Sequence, residues 1–158
     1  LIDLDVDAFI PASYIVNEVQ KLDMYKRISY IATKEEMEDL SEELVDRYGD
    51  VPDACDNLLQ IALLKAMCHR VYITELKQTK EEMKLSLYPR ARLKTELLQE
   101  FLEQRKTYLK LVLEANPYFV YKLPAKRKPM KPKAEADWIF GLLKEFLQDL
   151  SGLLEDKK

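Results

Sequence analysis

One stretch of this sequence is apolar on nearly every face of a helix, and that feature constrains the fold more than any other. Residues 52–70 include "NLLQIALLKAMC", and helical spacing places its apolar side chains all round the axis instead of on one stripe. A helix of this kind is stable only when other elements cover it from several sides. We therefore predict that residues 52–70 form the central core helix of the fold.

The segments around this helix predict further helices and then hairpins. Residues 2–10 alternate between apolar and acidic side chains, which is typical of a half-buried strand. Thr33 with Glu36 predicts a capping box at the start of a helix that Gly49 ends. In the preceding helix the spacing of three or four residues selects Val19, Leu22, Tyr25 or Lys26, and Ile28 as its regular positions. The predicted helices cover residues 18–31, 33–48, 52–70, 93–102 and 135–154, and the predicted strands cover residues 2–10, 71–77, 83–88, 109–115 and 118–123.

This order of elements predicts an α+β fold in a single compact domain, with helices followed by two β-hairpins and by intervening and C-terminal helices. Residues 1–123 are predicted to form the α+β core. Residues 124–134, rich in Pro and Lys, are predicted to be an exposed linker. Residues 135–158 are predicted to be an amphipathic helix that packs on this core.

The residue types argue against catalysis and metal binding. His69 is the only histidine, so dyads and triads that use an imidazole would all depend on it. The chain has three glycines and no Gly-rich phosphate motif. Asp3 opens a D-x-D-x-D run, but Ala8 and Tyr14 stand where a calcium loop needs Gly and Glu. We expect no cofactor, no metal and no enzyme activity.

The cysteines and the hydropathy pattern predict a cytoplasmic location. Cys55 and Cys68 fall in one predicted helix, where 13 residues of separation correspond to about 20 Å. A disulfide needs Cα atoms within about 7 Å, so we expect both thiols to be reduced. No apolar run approaches the roughly 20 residues of a membrane span. The chain begins without Met inside a patterned segment, which we interpret as a piece of a longer protein.

Charge leaves two interpretations of the partner open. The net charge of −3 disfavours nucleic acid as the main partner, because phosphate binding relies on a basic surface. The linker segment "KRKPMKPK" (126–133) is locally basic, however. It is either a solvated loop or a contact for nucleic acid or an acidic partner, and the second possibility is the alternative function that we keep.

Acidic side chains crowd the predicted end of the second helix. Glu42, Glu43 and Asp46 lie where the helix already carries partial negative charge, which disfavours acids by roughly 0.3–1 kcal/mol each. With Asp39 they would form a stripe on the face away from the core, since positions three and four apart are neighbours. The stripe is either a surface for a basic partner or the outcome of a local pair between Glu43 and Arg47.

Two short motifs, "IPASYI" (10–15) and "EELVDRYGDVP" (42–52), resemble those of a known family, the C-terminal domain of bacterial transcription-repair coupling factors (Mfd). The resemblance covers roughly residues 4–75, and the core-helix run "NLLQIALLK" also fits it. Tyr48 replaces the usual Phe, and Ala12 stands where an acid is common. The residues that match the two motifs are Ile10, Pro11, Tyr14 and Ile15 in "IPASYI", and Glu43, Leu44, Asp46, Arg47, Gly49 and Pro52 in "EELVDRYGDVP".

The resemblance implies a regulatory function. Proteins of this family are DNA translocases that displace stalled RNA polymerase and recruit the excision-repair protein UvrA, and their motor lies in other domains. The C-terminal domain is not a motor; it packs on a UvrB-like module near the N-terminus and masks the surface that UvrA binds. The family's acids at Glu43 and Asp46 face basic residues of that module. On this resemblance we predict that Asp39, Glu42, Glu43 and Asp46 bind the partner and that the isolated domain is monomeric.

Overall fold

Within residues 1–155, which the computed structural model describes, five helices and five strands follow one another much as the patterns predict. Helices dominate the first half of the chain and two hairpins follow, so the α+β class is confirmed. In chain order the elements are β1 (Ile2–Asp3), α1 (Glu18–Ser29), α2 (Lys34–Tyr48), α3 (Asp53–Arg70), β2 (Ile73–Thr79), β3 (Glu82–Leu87), α4 (Thr95–Gln104), β4 (Leu109–Val112), β5 (Tyr118–Lys122) and α5 (Pro132–Ser151).

The contacts within the chain divide it into two compact units, each assembled from segments that are distant in sequence. We call residues 6–67 together with residues 130–143 the helical unit. The sheet unit contains residues 1–5, 68–129 and 144–155. Helices α3 and α5 therefore each contribute residues to both units.

The sheet unit is built on one mixed sheet with the strand order β1-β2-β3-β5-β4. β1 is parallel to β2, and the other neighbours are antiparallel. Alternate side chains of β3 and β5 are buried, and β2 adds Ile73 and Leu76 on either side of a shift in register, which gives the sheet one apolar face. Phe146 of α5 packs on that face, with ring centroids 5.6 Å from both Phe119 and Tyr121.

The helical unit has its own apolar core around the first part of α3. Met24 of α1, Leu44 of α2 and Leu59 of α3 are completely buried there. The prediction that the all-round apolar segment would be a core helix is confirmed, since α3 places buried side chains on several faces. Those side chains are Cys55, Asn57, Leu59, Leu63, Leu64 and Cys68.

The predicted strand over residues 2–10 is wrong in extent, because only Ile2–Asp3 pairs with a neighbouring strand. Beyond it the backbone finds other partners: the Asp5 N–H donates to the Gln78 side chain at 2.9 Å, and the Phe9 N–H donates to the Ala54 carbonyl at 3.1 Å. Exposure still alternates along this segment. The sequence pattern thus reports which side chains face inward, and it does not report whether a strand lies alongside to complete the ladder.

The first hairpin is tighter than predicted, and α5 begins earlier. β2 continues to Thr79 and β3 starts at Glu82, so only two residues form the turn. Lys80 adopts a positive φ of 52°, which allows that tight reversal. Helix α5 starts at Pro132, within the segment predicted as linker, because Pro suits the first position of a helix.

Helix α1 buries only part of the set that its spacing selects, since Ile28 is buried and the two residues nearest the start are not. Val19 and Leu22 are 76% and 67% exposed, whereas Met24 and Ile28 lie in the core. The helix carries two apolar sets, and periodicity alone does not select between them. In α2, Met37, Leu40 and Leu44 are buried, whereas Val45 is exposed and Tyr48 is partly buried.

Candidate functional site

Helix α2 carries the four acids predicted to bind a partner, and its two ends are fixed by local interactions. The Thr33 side chain accepts a hydrogen bond from the Glu36 N–H at 3.1 Å. The Glu36 carboxylate accepts in return from the Ala32 N–H at 3.1 Å, one residue before the position that a capping box uses. Gly49 ends the helix with φ of +90°, a conformation that favours glycine.

Three of these acids form an open face of α2. Asp39, Glu42 and Asp46 are exposed, and within residues 1–155 their carboxylates have neither an ion pair nor a hydrogen bond. Their spacing of three and four residues places them side by side on the helix surface. We call these three residues the acidic face. Solvated carboxylates of this kind offer charge to a cationic surface and lack the enclosed surroundings of a catalytic acid or base.

The fourth acid, Glu43, is engaged within the domain. Its carboxylate accepts two hydrogen bonds from the Arg27 guanidinium, one of them 2.7 Å long, and a third from Arg47 at 3.1 Å. The hydrogen bonds from Arg27, with a smaller contribution from Arg47, outweigh partial burial and lower the pKa of Glu43 to about 2. The pair with Arg47 is the local alternative that the sequence offered, and it is present.

Arg27 is the member of this cluster that sequence reasoning missed. It lies on α1, 16 residues before Glu43, and reaches that carboxylate because α1 and α2 pack against each other. Local spacing rules connect residues three or four positions apart on one helix, so they give no signal for this contact. Glu43 therefore connects α1 to α2, while the acidic face beside it stays open.

The predicted motif residues hold the C-terminal end of α2 in place. The Tyr14 hydroxyl lies 2.7 Å from the Gly49 carbonyl and 3.1 Å from the Leu44 carbonyl, so its single proton is shared between two acceptors at the end of α2. The Tyr14 ring also packs on the Tyr48 ring, with centroids 5.7 Å apart, and the Arg47 guanidinium lies 4.9 Å from the Tyr48 ring centre. Pro11 begins the turn that positions Tyr14, and Pro52 precedes α3 directly.

A shallow groove lies between α1 and α2, next to the acidic face. Its volume is about 250 Å³, and it is open to solvent. Tyr30, at the end of α1, is 70% exposed and forms part of its wall. The lining residues are Arg27, Tyr30, Ile31, Glu36, Asp39, Leu40 and Glu43.

The end of the basic linker is held by acids of the helical unit. The Lys133 ammonium donates to the carboxylates of Asp56 and Asp137, the second at 2.7 Å, and to the Asn57 side chain at 2.9 Å. Asn57, only 5% exposed, also donates to the Asp7 carbonyl at 2.9 Å. Lys133 thus satisfies a buried amide and is not available to an outside anion.

The remaining chemistry-bearing residues do not assemble a reactive site in residues 1–155. Cys55 and Cys68 are unpaired, and burial raises the pKa of their thiols to about 11 and about 12, which keeps them protonated. His69 lies in the last turn of α3. The described residues contain no group of three or more metal-ligating side chains. None of the helices in that range combines the length and apolar character that crossing a membrane requires.

Comparison with known proteins identifies relatives for most of the chain. The model of the TRCF domain matches residues 4–98. The transcription-repair-coupling factor of Bacillus subtilis is 37% identical over 86 residues, which are 54% of this chain and 7% of that protein. The protein of the same name from Rickettsia bellii is 29% identical over 125 residues, covering 79% of this chain and 11% of its own length. The chain thus spans about a tenth of the length of these relatives.

A solved structure shares the fold across nearly the whole chain. The crystal structure of the C-terminal domain of a transcription-repair coupling factor superposes with a TM-score of 0.70. The match covers 96% of this chain and 93% of the other, at 24% sequence identity. The similarity therefore extends through both hairpins and α5, well beyond the region that the sequence motifs mark.

Proposed function

This chain belongs to the TRCF domain family, and on that premise we propose that it is a non-catalytic regulatory domain of a transcription-coupled DNA repair translocase. In this proposal it docks on a UvrB-like module near the N-terminus of the parent protein. Docking covers the surface that UvrA binds, so the domain is autoinhibitory until it is released. The chain spans about a tenth of the length of its relatives, and in this proposal the motor lies in other parts of the parent protein.

The observation that carries the proposal is the acidic face of α2. Within residues 1–155, Asp39, Glu42 and Asp46 are solvated and have no ion-pair partner, although the sequence as a whole contains 25 Lys and Arg residues. Asp46 also lies near the negative end of the helix, where an acid is mildly unfavourable. Carboxylates in this position gain more from a basic partner surface than from their own fold.

Glu43 has a different part in the same proposal. The resemblance assigns the acid at this position to the interface, but here two guanidinium groups already occupy its oxygens. Glu43 therefore contributes mainly by fixing α1 against α2, and the adjoining acidic face supplies the charge that the partner meets. The test below accordingly leaves Glu43 unchanged.

The decisive experiment removes two charges of the acidic face with Glu42→Gln and Asp46→Asn in one variant. Calorimetric titration then measures binding to the UvrB-like module, produced as a separate chain, at low and moderate salt. We expect affinity to fall by about 1–3 kcal/mol, with a weaker dependence on salt, because two charge pairs are lost. In the full-length parent protein, the same variant is expected to bind UvrA more readily.

A matched control removes the same charge elsewhere. Glu96→Gln with Glu114→Gln alters two exposed acids of the sheet unit and is expected to bind the module like the wild type. If Glu42→Gln with Asp46→Asn binds as tightly as this control, or if the wild-type domain does not bind the module at all, the proposed function is wrong.

A further inference from the structure

Three aliphatic side chains at the start of α1 are exposed without any local reason for their apolar character. Val16, Val19 and Leu22 are 78%, 76% and 67% exposed. Val16 precedes the N-cap Asn17, where an apolar residue ordinarily packs on the fourth helical position, but Lys21 stands there. Val19 lies on a solvent-exposed turn, where a β-branched residue lowers helix propensity. We call Val16, Val19 and Leu22 the apolar stripe.

The apolar stripe adjoins the surface already proposed to bind the UvrB-like module. Helices α1 and α2 are antiparallel neighbours: Gln20 near the start of α1 accepts a hydrogen bond from the Tyr48 hydroxyl at the end of α2, 3.1 Å away. At the other end of α1, Tyr30 shares one groove with Asp39 and Glu43 of α2. The exposed flank of α1 and the acidic face of α2 are therefore adjacent parts of one two-helix surface.

This arrangement of charge determines which occupant fits. A second copy of the chain, docked through the apolar stripe with two-fold symmetry, would bring two sets of Asp39, Glu42 and Asp46 towards each other. Like charges at an interface oppose association, whereas a basic border would be attracted. Stable interfaces commonly place an apolar centre inside a polar rim. The surface is thus matched to a different protein whose apolar patch is bordered by Lys or Arg.

Resting on the proposed function, we infer that the apolar stripe is the hydrophobic anchor of the contact with the UvrB-like module, with the acidic face as its charged rim. The module must then present an apolar patch next to its basic residues. The acidic face accelerates encounter and sets orientation, and the apolar stripe provides the part of the affinity that does not respond to salt.

The test uses two double variants. The serine variant carries both Val19→Ser and Leu22→Ser, and the acid variant carries both Glu42→Gln and Asp46→Asn. Binding of each to the separately produced UvrB-like module is measured at several salt concentrations. We expect the serine variant to bind at least 10-fold more weakly at every salt concentration, while its salt dependence stays that of the wild type. Leu113→Ser, which changes an 81% exposed leucine of the sheet unit, is the control and is expected to bind normally.

The outcomes separate this inference from the proposed function. Unchanged binding by the serine variant, with weakened binding by the acid variant, overturns the anchor and leaves the docking proposal intact. Unchanged binding by both variants overturns both. Sedimentation equilibrium of the wild type provides the last arm: a dimer that the serine variant abolishes would show that a second copy occupies the stripe, and the inference would be wrong. A melting temperature equal to that of the wild type confirms that the serine variant is folded.

Discussion

The contact between Glu43 and its two arginines makes a pH-dependent prediction about stability. In Glu43→Gln the side chain keeps its size, but Arg27 and Arg47 lose the carboxylate between them. Lowering a carboxyl pKa from 4.5 to about 2 corresponds to roughly 3 kcal/mol if it is taken in full. The three side chains are 36–40% exposed, however, and water screens the interaction. We expect the variant to be less stable by about 1–1.5 kcal/mol at pH 7.

The pH dependence follows from the direction of the pKa shift. Glu43 is a stronger acid in the folded domain than in the unfolded chain, so its contribution is complete above the ordinary pKa of 4.5. It decreases as the pH falls from about 5 towards 2, where the folded-state carboxylate itself becomes protonated. The difference in stability between wild type and Glu43→Gln should therefore narrow across this range and vanish near pH 2.

The assay is unfolding in urea, monitored by the fluorescence of Trp138. This is the only tryptophan of the chain, and it is partly buried in the helical unit. With a slope of about 2 kcal/mol per molar urea, the midpoint of the variant should be lower by about 0.5–0.8 M at pH 7. Glu42→Gln removes the neighbouring unpaired charge and is the control. Equal midpoints for Glu43→Gln and Glu42→Gln at pH 7 would refute the reasoning. So would a difference in stability between wild type and Glu43→Gln that stays as large at pH 2 as at pH 7.

Three further predictions concern the stability of single positions, each measured by thermal unfolding. Gly49→Ala should destabilise the domain by about 1–2 kcal/mol, because alanine is strained at the positive φ of this position. Gly141→Ala should stabilise it by up to about 1 kcal/mol, because Gly141 lies in a helix with open space around the added methyl group. Equal effects of the two substitutions would contradict this explanation. Lys133→Met should lower the free energy of unfolding by about 1–3 kcal/mol, because the buried Asn57 amide loses its partner. The control, Lys131→Met at an exposed position, should leave stability unchanged. An unchanged melting temperature for Lys133→Met would show that its ion pairs and hydrogen bonds do not stabilise the fold. Tyr14→Phe should lower the free energy of unfolding by about 1 kcal/mol, because it removes the hydroxyl proton shared between the Gly49 and Leu44 carbonyls. An unchanged melting temperature would show that this hydrogen bond adds nothing.

Sequence patterns that span only a few residues predicted much of this structure. The cap at Thr33, the end of α2 at Gly49 and the core position of α3 depend on local chemistry or on the composition of one segment, and all three are confirmed. The hairpins were recognised for the same reason, although the turn at Lys80 is tighter than its polar sequence suggests.

The features that sequence reasoning missed all depend on contacts between distant segments. Nothing within α1 indicates that Met24, and not Leu22, faces the core, because that choice depends on how the neighbouring helices lie. The partnership of Arg27 with Glu43 and that of Lys133 with Asp56 span 16 and 77 residues. In the candidate site, the positions of the acids on α2 were predictable, but which of them is already paired was not. That four-residue site remains a prediction.

The division of the helical unit into residues 6–67 and 130–143 has a consequence for how the protein is made. A ribosome completes α1 and α2 long before it reaches the segment that carries Lys133 and Trp138. At about 5–20 residues per second, the interval is on the order of 4–15 s. During that time Asn57 lacks its lysine partner, and core positions normally covered by residues 130–143 face solvent. The nascent chain is therefore expected to be a substrate for chaperones over this window, and pulse-labelled chains released at residue 129 should be degraded faster than chains released after residue 155.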